Sequence, residues 1–227
     1  MNLAIIPARG GSKRIPRKNI RSFRGKPILA WSIEAARSCG LFEQVLVSTD
    51  DEEIAQTATE LGASVPFLRS ERNSNDFATT ADVLQEVLAQ LEGQGQMFDA
   101  ACSLYPTAPF VTAEDLAEGL KVLQQGWDCV LPVSAFSYPI WRSLKRLPDG
   151  RIAMNFPENV NARSQDLPVA YHDAGQWCWF KVEPFRQSGL LFGERTGSVL
   201  LPPDRVQDID TEEDWRLAEW KHERLLG

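Results

Sequence analysis

The chain has 227 residues and a formal charge of −7, from 31 Asp+Glu against 24 Lys+Arg. That length supports a large buried core as a single domain over 1–227, and the acidic balance excludes a general nucleic-acid binder. No stretch nears the about 20 apolar residues a bilayer span needs, so no membrane segment is expected. The opening MNLAIIPARGG is too short and wrongly flanked for a signal peptide. Cys39, Cys102, Cys129 and Cys178 lie far apart and read as small buried hydrophobes, which suits a reducing, cytoplasmic setting.

LAIIPA is a continuous apolar run and predicts a buried first strand. KPILAWSIEAARSCG predicts a helix with Pro27 at its start and Gly40 past its end. QVLVSTD predicts a strand, and DDEEIAQTATELG a helix with acids in its first turn. ASVPFL predicts a third short strand. TTADVLQEVLAQLEG predicts a helix capped by Thr79 or Thr80, and strand, helix and strand follow in DAACSLYP, TAEDLAEGLKVLQQG and WDCVLPV. From about Ala135 to Ala174 the alternation stops, with a hairpin turn expected at PDGRI. GQWCWFKV predicts the return to the sheet, with Trp177 and Trp179 as packing aromatics, and TEEDWRLAEWKHERLLG a terminal amphipathic helix. Strands alternating with helices predict an α/β sandwich around a largely parallel sheet.

The loop after the first strand reads PARGGSKRIPRKN, and its cations stand out against an acidic chain. Ligands bind open α/β sheets beyond the carboxyl ends of the strands, where this loop lies. Gly10 and Gly11 let backbone N–H groups approach an anion, while Arg9, Lys13, Arg14, Arg17 and Lys18 add charge. The expectation is a phosphate cradle, although neither the P-loop nor the dinucleotide-binding pattern is present. Near the other end, Asp208 and Asp210 flank Ile209; on a strand both carboxylates would face one side and ligate a hard cation. The alternative is that Asp210 caps the last helix, with Glu213 completing a capping box.

The loop resembles the opening signature of cytidylyltransferases that activate sialic acid and related sugar acids, Ile-x-x-Ala-Arg-x-x-Ser-Lys-x-x-Pro-x-Lys-Asn. Arg9, Ser12, Lys13, Pro16, Lys18 and Asn19 match it without a gap. FLRSERNSNDFATTADVL resembles the family's nucleotide-binding segment, with Arg69 and Thr80 matching; LYPTAPF resembles its sugar-side turn and VQDIDTEEDW its metal-binding end. The resemblance implies a three-layer, Rossmann-like nucleotidyltransferase fold and Mg²⁺-dependent attack of a sugar acid on CTP. It implies nucleotide binding by Arg9, Gly10, Gly11, Ser12, Lys13, Asn19, Arg69 and Thr80, with Lys18 and Arg9 catalytic and Asp208 and Asp210 on the metal.

In place of the sialate branch's Asn-Gly-Ala this chain has YHDAGQWCWF, which resembles the branch acting on pseudaminic acid, and Tyr105 stands where a Gln is usual. Tyr105, Arg163, His172, Asp173 and Gln176 are the expected sugar contacts, though His172 can equally be an idle loop histidine. The resemblance also implies that the excursion at 135–174 is an arm of a homodimer that carries Arg163 toward the partner's sugar site. The alternatives are the same chemistry on N-acetylneuraminate or legionaminate, and, in another class, a catalytically silent nucleotide-binding protein.

Overall fold

The computed structural model describes residues 1–226. β1 (Asn2–Pro7) is apolar on both faces, as a strand inside a parallel sheet must be. A short hairpin of β2 (Ser22–Phe23) and β3 (Lys26–Pro27) leads into α1 (Ile28–Ser38). β4 (Gln44–Ser48) and α2 (Glu52–Glu60) follow, the helix capped by Asp51, which accepts the Ile54 N–H. α3 (Thr80–Gly93) starts at a reciprocal capping box between Thr79 and Asp82, which assigns the cap to Thr79. After β5 (Ala100–Leu104), α4 (Ala113–Gln124) opens with a second box, Thr112 with Asp115, and leads to β6 (Cys129–Ala135). The predicted strand in ASVPFL is reduced to one parallel bridge, Leu46 to Ser64, because the chain turns away at once toward the site.

The excursion carries the expected hairpin, β7 (Leu144–Arg146) against β8 (Ile152–Met154), and otherwise short turns, before β9 (Tyr171–Asp173) rejoins β6. It leaves Phe136, Tyr138, Leu144, Ile152, Val160 and Val169 exposed. β10 (Trp177–Lys181), α5 (Val182–Ser188), β11 (Thr196–Leu200) and α6 (Glu212–Leu226) complete the order.

The main sheet runs β11-β6-β10-β5-β1-β4, with β9 also on β6. β1, β4, β5, β6 and β11 share one direction; β10 is inserted antiparallel between β5 and β6, and β9 also runs against β6. One face buries Ala4, Ile6, Val47, Cys102 and both tryptophans of β10 against α1, α2 and α4. Trp177 and Trp179 are thus core residues, and α4 offers them Gly119, where a Cβ would lie 2.6 Å from the Trp177 ring. The other face packs Leu3, Ile5, Leu46 and Phe180 on α3 and α5. This gives the expected three layers. A smaller cluster, including Ile15, Phe23, Phe110, Ile209 and Trp215, fixes α6 beside the loop after β1.

Candidate active site at the carboxyl end of the sheet

The chain leaves β1 into the basic loop, and the loop is held from below. The Ala8 N–H donates to Ser48 O, the Gly10 N–H to Asp50 Oδ1, and Asn19 Nδ2 to Arg9 O at 2.9 Å. Arg17, in a left-handed conformation, clamps both oxygens of Asp51 at 2.5 and 3.0 Å. That anchor drives the Asp51 carboxyl below its usual range, chiefly through the Arg17 hydrogen bond. At Gly10 a Cβ would stand 2.7 Å from Asp51 Oδ2 and 2.9 Å from its Cβ, so only glycine fits there.

Above this floor lies a cavity of about 650 Å³ lined by Arg9, Ser12, Lys13, Arg14, Lys18, Asn19, Arg69, Thr80, Tyr105, Asp208 and Asp210, among others. Four cations of the loop therefore meet Arg69, from far along the chain, in one concavity. Arg69 is buried, its guanidinium donating to Ser48 Oγ and Ser48 O, and burial pulls its pKa down. Lys18 Nζ donates to Ile209 O at 2.5 Å and lies 3.7 Å from Asp210 Oδ1. Burial lowers the Lys18 pKa, while Asp210 and Asp208 oppose the shift. Arg14 pairs with the same Asp210 oxygen at 2.7 Å.

Asp208 and Asp210 reach this cavity, but not from a strand. They lie in extended, unpaired chain just before α6, and buried Ile209 between them fixes both directions. Asp210 does not cap α6 through Glu213: Thr211 and Asp214 form that box, one residue later. Asp115 accepts from Arg205, and Lys221 Nζ donates to Val206 O, so the segment carrying both aspartates is tied to α4 and to α6. Two hard carboxylate donors facing a cationic cavity of about 650 Å³ fit a Mg²⁺ that takes its other ligands from phosphate and water. Among the described residues no group of three or more His, Cys, Asp or Glu side chains forms a closed metal cage.

A second cavity of about 390 Å³ adjoins the first across Thr80 and Tyr105. It is lined by Ser103, Leu131, Val133, Asp173, Cys178 and Phe192, among others, and holds no cation. Of the expected sugar contacts, Tyr105 borders both cavities and Asp173 the second. Gln176 lines neither: it is buried and donates to Arg205 O at 2.6 Å, bracing the segment before Asp208. His172 packs its ring on Phe136, and Arg163 pairs with Asp166 in the excursion, and neither lines either of these two cavities. Gly10 and Gly11 shape the loop without lining the concavity. Sequence reasoning passed over Asp76, whose carboxylate pairs with Arg9 and Lys13 inside the larger cavity.

A sequence model of the cytidylyltransferase family matches residues 3–129. The chain belongs to the cytidylyltransferases. The match spans the basic loop, Arg69, the α3 start and Tyr105, which together build most of the larger cavity. This cytidylyltransferase is 39% identical over 96% of its length, and 94% of the other's, to the pseudaminic acid cytidylyltransferase of Campylobacter jejuni serotype O:2. It is 32% identical to the CMP-N,N'-diacetyllegionaminic acid synthase of Legionella pneumophila, over 96% of this chain and 94% of that one. Among solved structures, CMP:2-keto-3-deoxy-manno-octonic acid synthetase complexed with CTP superposes with a TM-score of 0.72 over 99% of both chains. At 17% identity that likeness concerns the fold.

Proposed function

We propose that this cytidylyltransferase joins the cytidylyl group of CTP to a free nonulosonic acid, pseudaminic acid, and releases pyrophosphate. The observation that carries the reading is the convergence of Arg9, Lys13, Arg14, Lys18 and Arg69 on one cavity with Asp208 and Asp210 across it. The near full-length likeness to a pseudaminic acid cytidylyltransferase selects the sugar. The anomeric hydroxyl oxygen bonds to the α-phosphorus, the bond from that phosphorus to the bridging oxygen breaks, and the hydroxyl proton is lost. Catalysis then rests on positioning and charge, as phosphoryl-type transfers allow. Arg9 and Lys13, with the Ser12 hydroxyl and the loop backbone, hold the outer phosphates. Lys18, fixed by Ile209 O and Asp210, faces the α-phosphate and offsets charge as pyrophosphate departs. Asp208 and Asp210 would hold Mg²⁺, which when bound polarises a phosphoryl oxygen.

The sugar acid sits beyond Tyr105, with its acyl and alkyl parts toward the cation-free cavity. The exposed apolar side chains of the excursion support a homodimer in which Arg163 reaches the partner's sugar site.

The test is pyrophosphate release from CTP and MgCl₂ with pseudaminic acid and, separately, with N-acetylneuraminic acid. Release with pseudaminic acid alone is expected. Release only with N-acetylneuraminic acid would replace the sugar, and release with neither would end the reading. Asp210→Asn with a Mg²⁺ titration tests the metal: turnover should drop steeply, and a normal Mg²⁺ dependence would take Asp210 out of the metal site.

A further inference from the structure

Two of the cations that the proposed reading gives to the outer phosphates are already occupied from within. Asp76 Oδ1 accepts from Arg9 Nη1 at 3.1 Å, and Asp76 Oδ2 accepts from Lys13 Nζ. One carboxylate therefore spans both groups, as a phosphate would, with acceptor oxygens of the same kind.

The placement is built rather than incidental. Asn75 Oδ1 accepts the N–H groups of Phe77 and Ala78 at 2.8 and 3.0 Å, folding a tight turn around Asp76, and Asn75 Nδ2 donates to Arg72 O at 2.6 Å. On one side of this turn Glu86 holds the Ser70 N–H and hydroxyl at 2.8 Å and also Asn73. On the other side the Thr79 and Asp82 capping box starts α3. Both ends of the loop are thus pinned to α3, and its middle carries a carboxylate across the cavity to the basic loop. Phe77, next in the chain, points to solvent with no packing partner, so the tip of the loop can shift without disturbing a core.

A triphosphate cannot take Arg9 and Lys13 while Asp76 keeps them, since like charges a few ångströms apart repel. We propose that Asp76 is a placeholder for the pyrophosphate half of CTP. It holds Arg9 and Lys13 in position while the outer phosphate site is empty, yields to the β- and γ-phosphates, and re-engages both cations as pyrophosphate leaves. The inference rests on the reading that Arg9 and Lys13 serve the outer phosphates. The placeholder weakens every ligand that fills the outer site, including pyrophosphate, and leaves CMP untouched, because a single phosphate beside Lys18 does not reach Arg9 and Lys13. It thereby favours release of pyrophosphate, with a matching loss of affinity for CTP.

The experiment is calorimetric binding of pyrophosphate and of CMP to the purified wild type, Asp76→Asn, Asp76→Ser and Asp76→Glu, with no sugar acid present. Both neutral variants should bind pyrophosphate about two- to tenfold more tightly, with CMP affinity unchanged and Asp76→Glu like the wild type. The gain should shrink as NaCl is raised, because these groups are partly exposed. In turnover, the KM for CTP should fall and product inhibition by pyrophosphate should tighten. Unchanged or weaker pyrophosphate binding in the neutral variants would overturn the proposal, as would an equal gain for CMP. So would the absence of pyrophosphate binding to any of the four proteins. The binding measurements need no sugar acid, so their outcome is independent of whether the proposed sugar is turned over.

Discussion

Gly10 and Gly11 are neighbours, and the structure assigns them opposite tolerances to the same change. In Gly10→Ala the new Cβ meets Asp51 at 2.7 Å (Oδ2), 2.9 Å (Cβ) and 3.2 Å (Cγ), and the Asp51 Cβ cannot swing away without moving its backbone. Asp51 is at once the N-cap of α2 and the carboxylate that Arg17 clamps. Displacing it weakens a cap worth about 1 kcal/mol. It also disturbs the neighbouring Gly10 N–H to Asp50 bond, worth about 1 kcal/mol net. A total of about 2 kcal/mol corresponds to a fall in Tm of about 4–8 °C for a chain of this size. Gly11→Ala meets nothing within 4 Å and has no positive φ, so its stability should change by less than about 1 kcal/mol. The assay is paired thermal unfolding of the two variants, with pyrophosphate release measured beside it. Gly10→Ala should lose both stability and kcat/KM for CTP. Gly11→Ala should keep its Tm and lose activity only if phosphate oxygens rest against that backbone. Equal Tm losses in the two variants would refute the steric argument.

Lys18→Met should lower kcat by about 10²–10³-fold with a smaller change in the KM for CTP, the pattern of a group acting mainly in the transition state; a rise in KM alone would make Lys18 a holding residue. The Asp51 clamp also predicts an acid dependence. Its folded pKa lies below the usual 3.8, so its contribution is complete above the unfolded value and disappears as pH falls through the lower folded one. Asp51→Asn should therefore cost Tm at neutral pH and flatten the Tm profile below about pH 4, and a profile parallel to that of the wild type would remove Asp51 from the acid response.

The layers were legible in the sequence because strands buried on both faces appear as unbroken apolar runs, as LAIIPA does. The direction of β10 was not. WCWFK marks which residues face which layer, and that alternation is the same read either way along the strand. Asp208 and Asp210 were found by their spacing and misassigned to a strand, since extended coil and strand share their backbone angles and differ only in pairing. The cap of α6 was ambiguous for a related reason: Asp210 with Glu213 and Thr211 with Asp214 both satisfy the box pattern, and packing of Ile209 and Trp215 selects the second. Asp76 was invisible because a carboxylate in a polar loop looks solvated until the fold brings Arg9 and Lys13 to it. Gln176 was the reverse case, a polar residue beside a sugar motif whose amide turns inward to hold Arg205 O.

The antiparallel insertion of β10 has a consequence for how the chain is made. Its neighbours β5 and β6 end at Leu104 and Ala135, yet the strand that joins them is complete only at Lys181. On a ribosome adding about 5–20 residues per second, the β6 edge waits roughly 2–9 s and the β5 edge roughly 4–15 s for their shared partner. During that interval the excursion is being synthesised, and β6 has none of its three partners until β9 is made, since β9, β10 and β11 all follow it in the chain. The last strand of the excursion, β9, pairs with Val133–Ala135 of β6, so the excursion itself supplies cover for part of that edge before β10 is complete.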